Sequence, residues 1–261
     1  MDWIEANGAS LRYELSGQGN KTLALIHELG GTLESWDLVL PTLRESFRVL
    51  RYDQRGFGLS EKTRGKLLLN TILDDLLGLL DGLAISSPCY LMGGALGGGI
   101  AIAFTARHPE RIARLVACNP ATGVRGDRRA YMEQRAETVE REGMRSYVEQ
   151  SLNLSYPPIF RGDMRRFEWY RRRWLANDPF GFAAINRMLP DMDLTADFPR
   201  ITCPTLVLAG IHDVLITPAI AEPIARAIPG SRYLVIDSGH FMAVQTPERL
   251  LEHVLPFLKD N

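Results

Sequence analysis

The chain has 261 residues, 46% of them hydrophobic and 23% charged, a globular composition with enough apolar mass for one sizeable core and an inserted subdomain. Its 30 Lys plus Arg stand against 31 Asp plus Glu, a formal charge of -1. That balance argues against a polyanion-binding surface or an acidic tail, and so against nucleic acid as a partner.

In chain order, the opening Met1-Asp2-Trp3-Ile4-Glu5-Ala6-Asn7-Gly8 lacks the basic and apolar regions of a signal peptide. No later segment approaches about 18 uninterrupted apolar residues, so a soluble, cytoplasmic protein with no membrane partner is expected. Short apolar runs follow at Thr22–Ile26, Phe47–Leu50, Cys89–Met92, Leu115–Cys118, Thr205–Ala209 and Tyr233–Ile236, each the length of a buried strand. Amphipathic stretches such as 70–83 and 97–108 lie between them, long enough for the crossovers that parallel strands require. The pattern predicts an α/β fold with a mostly parallel sheet covered by helices on both faces.

The alternation fails from about Thr122 to Pro199, where helical spacing takes over between Pro157-Pro158, Pro179 and Pro190. The expected organisation is a core of residues 1–121 and 200–261 with a helical cap subdomain at 122–199. Within the cap, Arg171-Arg172-Arg173 sit between Trp169-Tyr170 and Trp174. They could form a cationic, aromatic lid over an acidic substrate, or simply a solvated helix face beside core aromatics. Cys89, Cys118 and Cys203 are odd in number, widely spaced and beside apolar runs, so reduced, mostly buried thiols are expected rather than a disulfide framework or a zinc site.

The residues that could carry chemistry stand after the strands. Met92-Gly93-Gly94-Ala95-Leu96-Gly97 has the framework of the strand-turn-helix elbow G-x-S-x-G, with Ala95 where the nucleophile stands. Leu25-Ile26-His27-Glu28-Leu29-Gly30-Gly31 resembles the H-G-x-G-type loop that presents a backbone N–H to an oxyanion. Tyr52-Asp53-Gln54-Arg55-Gly56-Phe57-Gly58-Leu59-Ser60 approaches the D-x-R-G-x-G-x-S turn. An acid ends one later strand at Ile211-His212-Asp213, and a histidine ends the next at Ser238-Gly239-His240-Phe241. A nucleotide loop is disfavoured, because the glycines fall inside the helix and no G-K-[ST] occurs.

These five ordered motifs resemble the α/β-hydrolase fold superfamily over essentially the whole chain. The resemblance implies Asp213 as the acid that orients His240, His240 as general base and then acid, and an oxyanion hole from the N–H groups of Leu29 and Leu96. It assigns structural roles to His27 and His212, and peripheral ones to His108 and His253. Asn119, where some relatives place the acid, is an amide and cannot supply the charge.

Two departures qualify the resemblance. A methyl group cannot attack a carbonyl, so Ala95 closes the acyl-enzyme route. Either a serine has been replaced there, or the protein naturally works without that nucleophile; the aminoacrylate hydrolase group resembles it in carrying alanine there. Glu28, where the loop usually has glycine, favours the second origin, since a simple knockout would leave that position alone. Glu28 would then position a water activated by His240, or an amine-like substrate group; alternatively it faces solvent or pairs with an arginine such as Arg55.

The compact size, the helical cap and Asp191-Met192-Asp193-Leu194 leading into Ile201-Thr202-Cys203-Pro204-Thr205 look like the β-ketoadipate enol-lactone hydrolase and ring-cleavage-product hydrolase groups. That likeness implies a hydrolase for a small, carboxylated ester, enol-lactone, amide-like or carbon–carbon bond substrate. Arg125, Arg128 or Arg172 would hold the carboxylate, with Trp169 and Phe241 as further pocket residues. No cofactor or metal is implied, and the chain is expected as a monomer or homodimer. The competing readings are a lyase, decarboxylase, isomerase or cofactor-free oxygenase using His240 as base, and a binding protein that has lost catalysis.

Overall fold

The computed structural model describes residues 1–124 and 128–260. The eight strands are β1 (Asp2–Ala6), β2 (Ala9–Ser16), β3 (Thr22–Ile26), β4 (Arg48–Tyr52), β5 (Cys89–Gly94), β6 (Ile112–Cys118), β7 (Thr205–Gly210) and β8 (Arg232–Ile236). They form one sheet in the order β1-β2-β4-β3-β5-β6-β7-β8. The pairings β1–β2 and β2–β4 are antiparallel, and every other pairing is parallel.

Six of these strands are the apolar runs of the sequence, and β3 to β7 are unbroken because a sheet covered on both faces buries both sides of its inner strands; β8, also expected as a buried strand, is instead a largely exposed edge strand with Leu234 and Val235 open to solvent. β3 is buried along its whole length and β7 likewise. The first hairpin adds two strands that the apolar runs do not announce. Asn7 and Gly8, with φ of 49° and 69°, make its two-residue turn, the left-handed pair that a tight hairpin prefers.

The helices are α1 (Leu40–Leu43), α2 (Leu69–Gly82), α3 (Leu96–Arg107), α4 (Arg129–Glu142), α5 (Val148–Ser155), α6 (Met164–Leu175), α7 (Pro179–Met188), α8 (Pro218–Ala227), α9 (Met242–Gln245) and α10 (Pro247–Lys259). Two buried apolar clusters lie on opposite faces of the sheet. One joins α2 and α3 to the helices α4 to α7, and the other holds Trp36, Leu43, Val254 and Phe257. All four helices α4 to α7 fall between β6 and β7.

The sheet order reverses between β3 and β5, which leaves a crevice beyond their carboxyl ends, the usual ligand position in such sheets. Loops from β3, β5, β7 and β8 converge there. Among the described residues no helix is long and apolar enough to cross a membrane. Cys89 and Cys118 are buried, Cys203 is half-buried, and all three are free thiols.

Candidate active site

The turn from β5 into α3 is built by small residues. Ala95 sits at φ 51° and ψ -113°, a left-handed conformation that costs a non-glycine residue about 1–3 kcal/mol and persists only when its surroundings impose it. The surroundings are close backbones: a Cβ at Gly93 would lie 2.0 Å from the Gly97 carbonyl oxygen, and one at Gly97 would lie 2.2 Å from that of Ile26. Ala95 N–H donates to the Cys118 carbonyl at 2.8 Å, and the Ala95 carbonyl accepts from Ala121 at 2.9 Å. The Ala95 methyl is thereby fixed at the floor of a cavity of about 150 Å³, a size that takes a benzene ring.

The same cavity is lined by Leu29, Leu96, Arg128, Arg135, Trp174, His240 and Phe241. The N–H groups of Leu29 and Leu96 donate to no backbone or side-chain acceptor among the described residues. Leu96 is the first residue of α3, so its N–H is one of the four that a helix N-terminus leaves free. Opposite them, His240 Nδ1 stands 2.6 Å from Asp213 Oδ2. Asp213 Oδ1 accepts from the N–H groups of Leu215 at 2.7 Å and Ile216 at 3.0 Å, so the carboxylate is held on both oxygens and the imidazole is oriented from Nδ1.

Asn119 does a job that its sequence position did not reveal. At φ 44°, its side chain accepts from Gly210 N–H at 2.8 Å and donates to the carbonyls of Gly239 at 2.9 Å and His240 at 3.1 Å. It thereby ties the end of β7 to the histidine loop.

His27 and His212 lie outside the cavity. His27 is fully buried; its Nδ1–H donates to the Glu28 carbonyl at 2.8 Å, and Nε2 accepts from Gln54 N–H at 3.0 Å. Burial pushes its pKa down, against the opposing pull of Glu28. His212 faces Asp237 at 3.0 Å on the surface.

Glu28 neither faces solvent nor pairs with Arg55, which is engaged by Asp75 at 2.6 Å. It is buried, and its Oε1 accepts from Ser35 Oγ and Tyr170 Oη, each at 2.8 Å. Burial and the nearby Glu28 carboxylate hold the Tyr170 phenol well above its ordinary value. Helix α6 also closes on the loop at Gly30, whose carbonyl accepts from Asn177 at 2.7 Å and where a Cβ would lie 2.4 Å from Trp174 Nε1.

That docking corrects the positions expected for Trp169 and Arg172. Phe167, Tyr170 and Trp174 form the buried stripe of α6, and the 100° step of a helix turns 169 and 172 the other way. They line a shallow outer hollow with Met164, Arg165 and Arg173, where Arg173 stacks over Trp169 at 4.4 Å. Arg128 and Phe241 do line the cavity, and Arg125 lies outside the described residues.

Arg135, which sequence reasoning missed, is the cavity's most distinctive group. Its guanidinium lies 4.7 Å from the Phe182 ring centroid and donates to Ser151 Oγ at 2.7 Å. Its Nε is sealed from solvent without a partner, and among the described residues no carboxylate pairs with it. Burial pushes it down to about 10. Among the described residues no cluster of His, Cys, Asp and Glu could hold a metal ion.

The family model described as serine aminopeptidase, S33, matches residues 18–239. The chain is 29% identical to RutD of Pantoea ananatis, named as a proposed carbamate hydrolase, with 95% of this chain and 92% of that protein covered. It is 27% identical to 3-oxoadipate enol-lactonase 2 of Acinetobacter baylyi, again covering 95% and 92%. The enol-lactonase structure from Burkholderia xenovorans superposes with a TM-score of 0.94 at 30% identity, covering 99% of this chain and 100% of that one. With the fold and the converging loops already described, these matches make the chain a hydrolase of the α/β-hydrolase superfamily, in the serine aminopeptidase S33 family.

Proposed function

We propose that this protein hydrolyses a small carboxylated ester or enol-lactone without a serine nucleophile. Residues 122–199 act as the cap that closes the substrate against the core of 1–121 and 200–261. The observation that carries the reading is Arg135: a guanidinium without a carboxylate partner among the described residues, in the cavity that His240 and Ala95 also line. Arg135 is half-buried with its Nε sealed from solvent; a cation so desolvated is costly until an anion pairs with it, and a bidentate carboxylate fits its geometry. Among the cap arginines considered from sequence, Arg128 is placed to assist, since it lines the same cavity. The similarity to one lactonase named for 3-oxoadipate and to another named as an enol-lactonase agrees with this choice of substrate.

In this mechanism His240, oriented by Asp213, accepts a proton from water at Nε2. The water oxygen bonds to the substrate carbonyl carbon, and the resulting oxyanion is held by the Leu29 and Leu96 N–H groups. Collapse breaks the bond to the leaving oxygen, which takes the proton back from His240. The reaction thus needs neither the Ala95 side chain nor a cofactor.

The test compares a neutral and a carboxylated aryl ester, and lactones with and without a carboxymethyl arm, in oxygen-18 water. The expected result is one solvent oxygen in the product and a 10- to 100-fold preference in kcat/KM for the carboxylated member, about 1.4–2.7 kcal/mol. Arg135→Met should erase that preference. Equal rates on both members would overturn the carboxylate anchor, and product without solvent oxygen would overturn hydrolysis.

A further inference from the structure

His240 stands in the short loop between β8 and α9, and the peptide unit that joins it to Phe241 is gripped at both polar ends by buried side-chain amides. Asn119, fully buried at the end of β6, donates to the His240 carbonyl at 3.1 Å. Gln245, the last residue of α9 and 6% exposed, holds the other end. Its Oε1 accepts from Phe241 N–H at 3.0 Å, and its Nε2 donates to the Ser155 carbonyl at 2.8 Å.

The first of the two Gln245 bonds is local. With Gln245 N–H donating to the Phe241 carbonyl at 2.8 Å, it closes a reciprocal box like the one that caps a helix start. The second bond crosses 90 positions of sequence. Ser155 is the last residue of α5, where a helix leaves carbonyls without partners, so the amide satisfies one of them and ties α5 to the histidine loop. The same side of the loop is packed tightly: a Cβ at Gly239 would lie 2.5 Å from Gln245 Oε1 and 2.7 Å from the Phe160 ring. Helix α5 also carries Ser151, which accepts from Arg135, and both serines line the cavity.

We propose that Gln245 is a positioning residue for His240, and that through it the seat of the histidine depends on α5. The amide is oriented by its bond to Ser155, and only in that orientation does Oε1 meet Phe241 N–H. When α5 is displaced, the amide is released, the His240–Phe241 peptide keeps only its Asn119 contact, and the imidazole loses its alignment with Asp213. Misplacing a catalytic group by about 1 Å costs on the order of 100-fold in rate. Gln245 does not line the cavity and takes no proton. The assignment rests on His240 as the base of the hydrolysis proposed above, and makes α5 part of the catalytic frame as well as of the cover.

The test uses two variants of the full chain. Gln245→Met keeps the length of the side chain and removes both bonds; Phe160→Ala removes the ring over Gly239 and leaves the amide in place. On the carboxylated ester, kcat should fall about 10- to 100-fold in the first and about 3- to 10-fold in the second, each with KM within twofold because the Arg135 anchor is untouched. In crystal structures of both variants, His240 should leave its contact with Asp213 or occupy two positions. An unchanged kcat, or a loss confined to KM, overturns the proposal. So does His240 in its parent position, whatever the rate, since a lower stability alone then marks a merely structural cap. If Gln245→Met fails to fold, Phe160→Ala decides by the same criteria. A parent inert toward every ester and lactone overturns the hydrolysis reading instead; a displaced His240 in the variant structures then still supports the positioning role, and an unmoved one overturns it.

Discussion

Tyr170 donates its phenolic hydrogen to Glu28 across 142 positions of sequence, at 2.8 Å and out of contact with solvent. One bond therefore joins α6 to the loop that carries the Leu29 N–H. Hydrogen bonds to a buried charge contribute about 1.5–3 kcal/mol, and Tyr170→Phe removes only this one, leaving Ser35 on the carboxylate. The expected outcome is a loss of stability in that range, read from urea unfolding with an unchanged m-value. A change below about 0.5 kcal/mol would mean that the contact is not formed in solution.

Ala95→Ser adds a hydroxyl at a backbone already held at φ 51°, so no rearrangement of the turn is required. With His240 beside the same cavity, the variant should give a stopped-flow burst approaching one equivalent per site on an activated aryl ester, where the parent gives none. His240→Ala should lower turnover of the parent by at least about 100-fold. A parent indifferent to His240→Ala would sink the water-activation mechanism.

Gly97→Ala tests the crevice itself. The new Cβ would lie 2.2 Å from the Ile26 carbonyl oxygen and 2.7 Å from that of His27, both fixed in or beside β3. Neither is a flexible side chain that can step aside, so the variant should lose about 3 kcal/mol or fail to accumulate as folded protein. Thermal unfolding of the variant at wild-type stability would contradict the close approach.

His27 sets an acid limit. Its folded pKa lies below the ordinary 6.5 because burial disfavours the charged ring, so the unfolded chain binds a proton that the folded chain refuses. Its contribution is complete above about pH 6.5 and is lost as pH falls from there toward the folded pKa, at up to about 1.4 kcal/mol per pH unit. Unfolding free energy measured between pH 7.5 and 5 should fall with that slope, and His27→Gln should flatten it. An equally steep fall in the variant would assign the acid limit to other groups.

The inner parallel strands β3 to β7 were legible because burial on both faces writes them as unbroken apolar runs, whereas β8 reads as one although Leu234 and Val235 are exposed at the sheet edge. β1 and β2 were not, since a half-exposed hairpin alternates, and its signal was the Asn7-Gly8 turn rather than hydrophobicity. The loops around Ala95, Asp213 and His240 were legible because turn glycines and strand ends leave local patterns. Arg135 left none: it stands on α4, between the inward-facing Met132 and Ala136, and reads as one more charge on a polar helix. Trp169 and Arg172 misled for the complementary reason, because composition names a cationic aromatic segment without its helical phase. That phase is fixed only when Tyr170 and Trp174 dock on residues 28–30.

That docking also bears on how such a protein can change. Side chains of α6 and the residue just beyond it, at 170, 174 and 177, brace residues 28–30, so in the proposed mechanism the segment that frames the substrate also shapes half of the oxyanion cradle. Selectivity and chemistry then share one hinge of inheritance. A chimera that imports the helical segment of a relative would inherit that relative's oxyanion geometry unless positions 170, 174 and 177 travel together with 28.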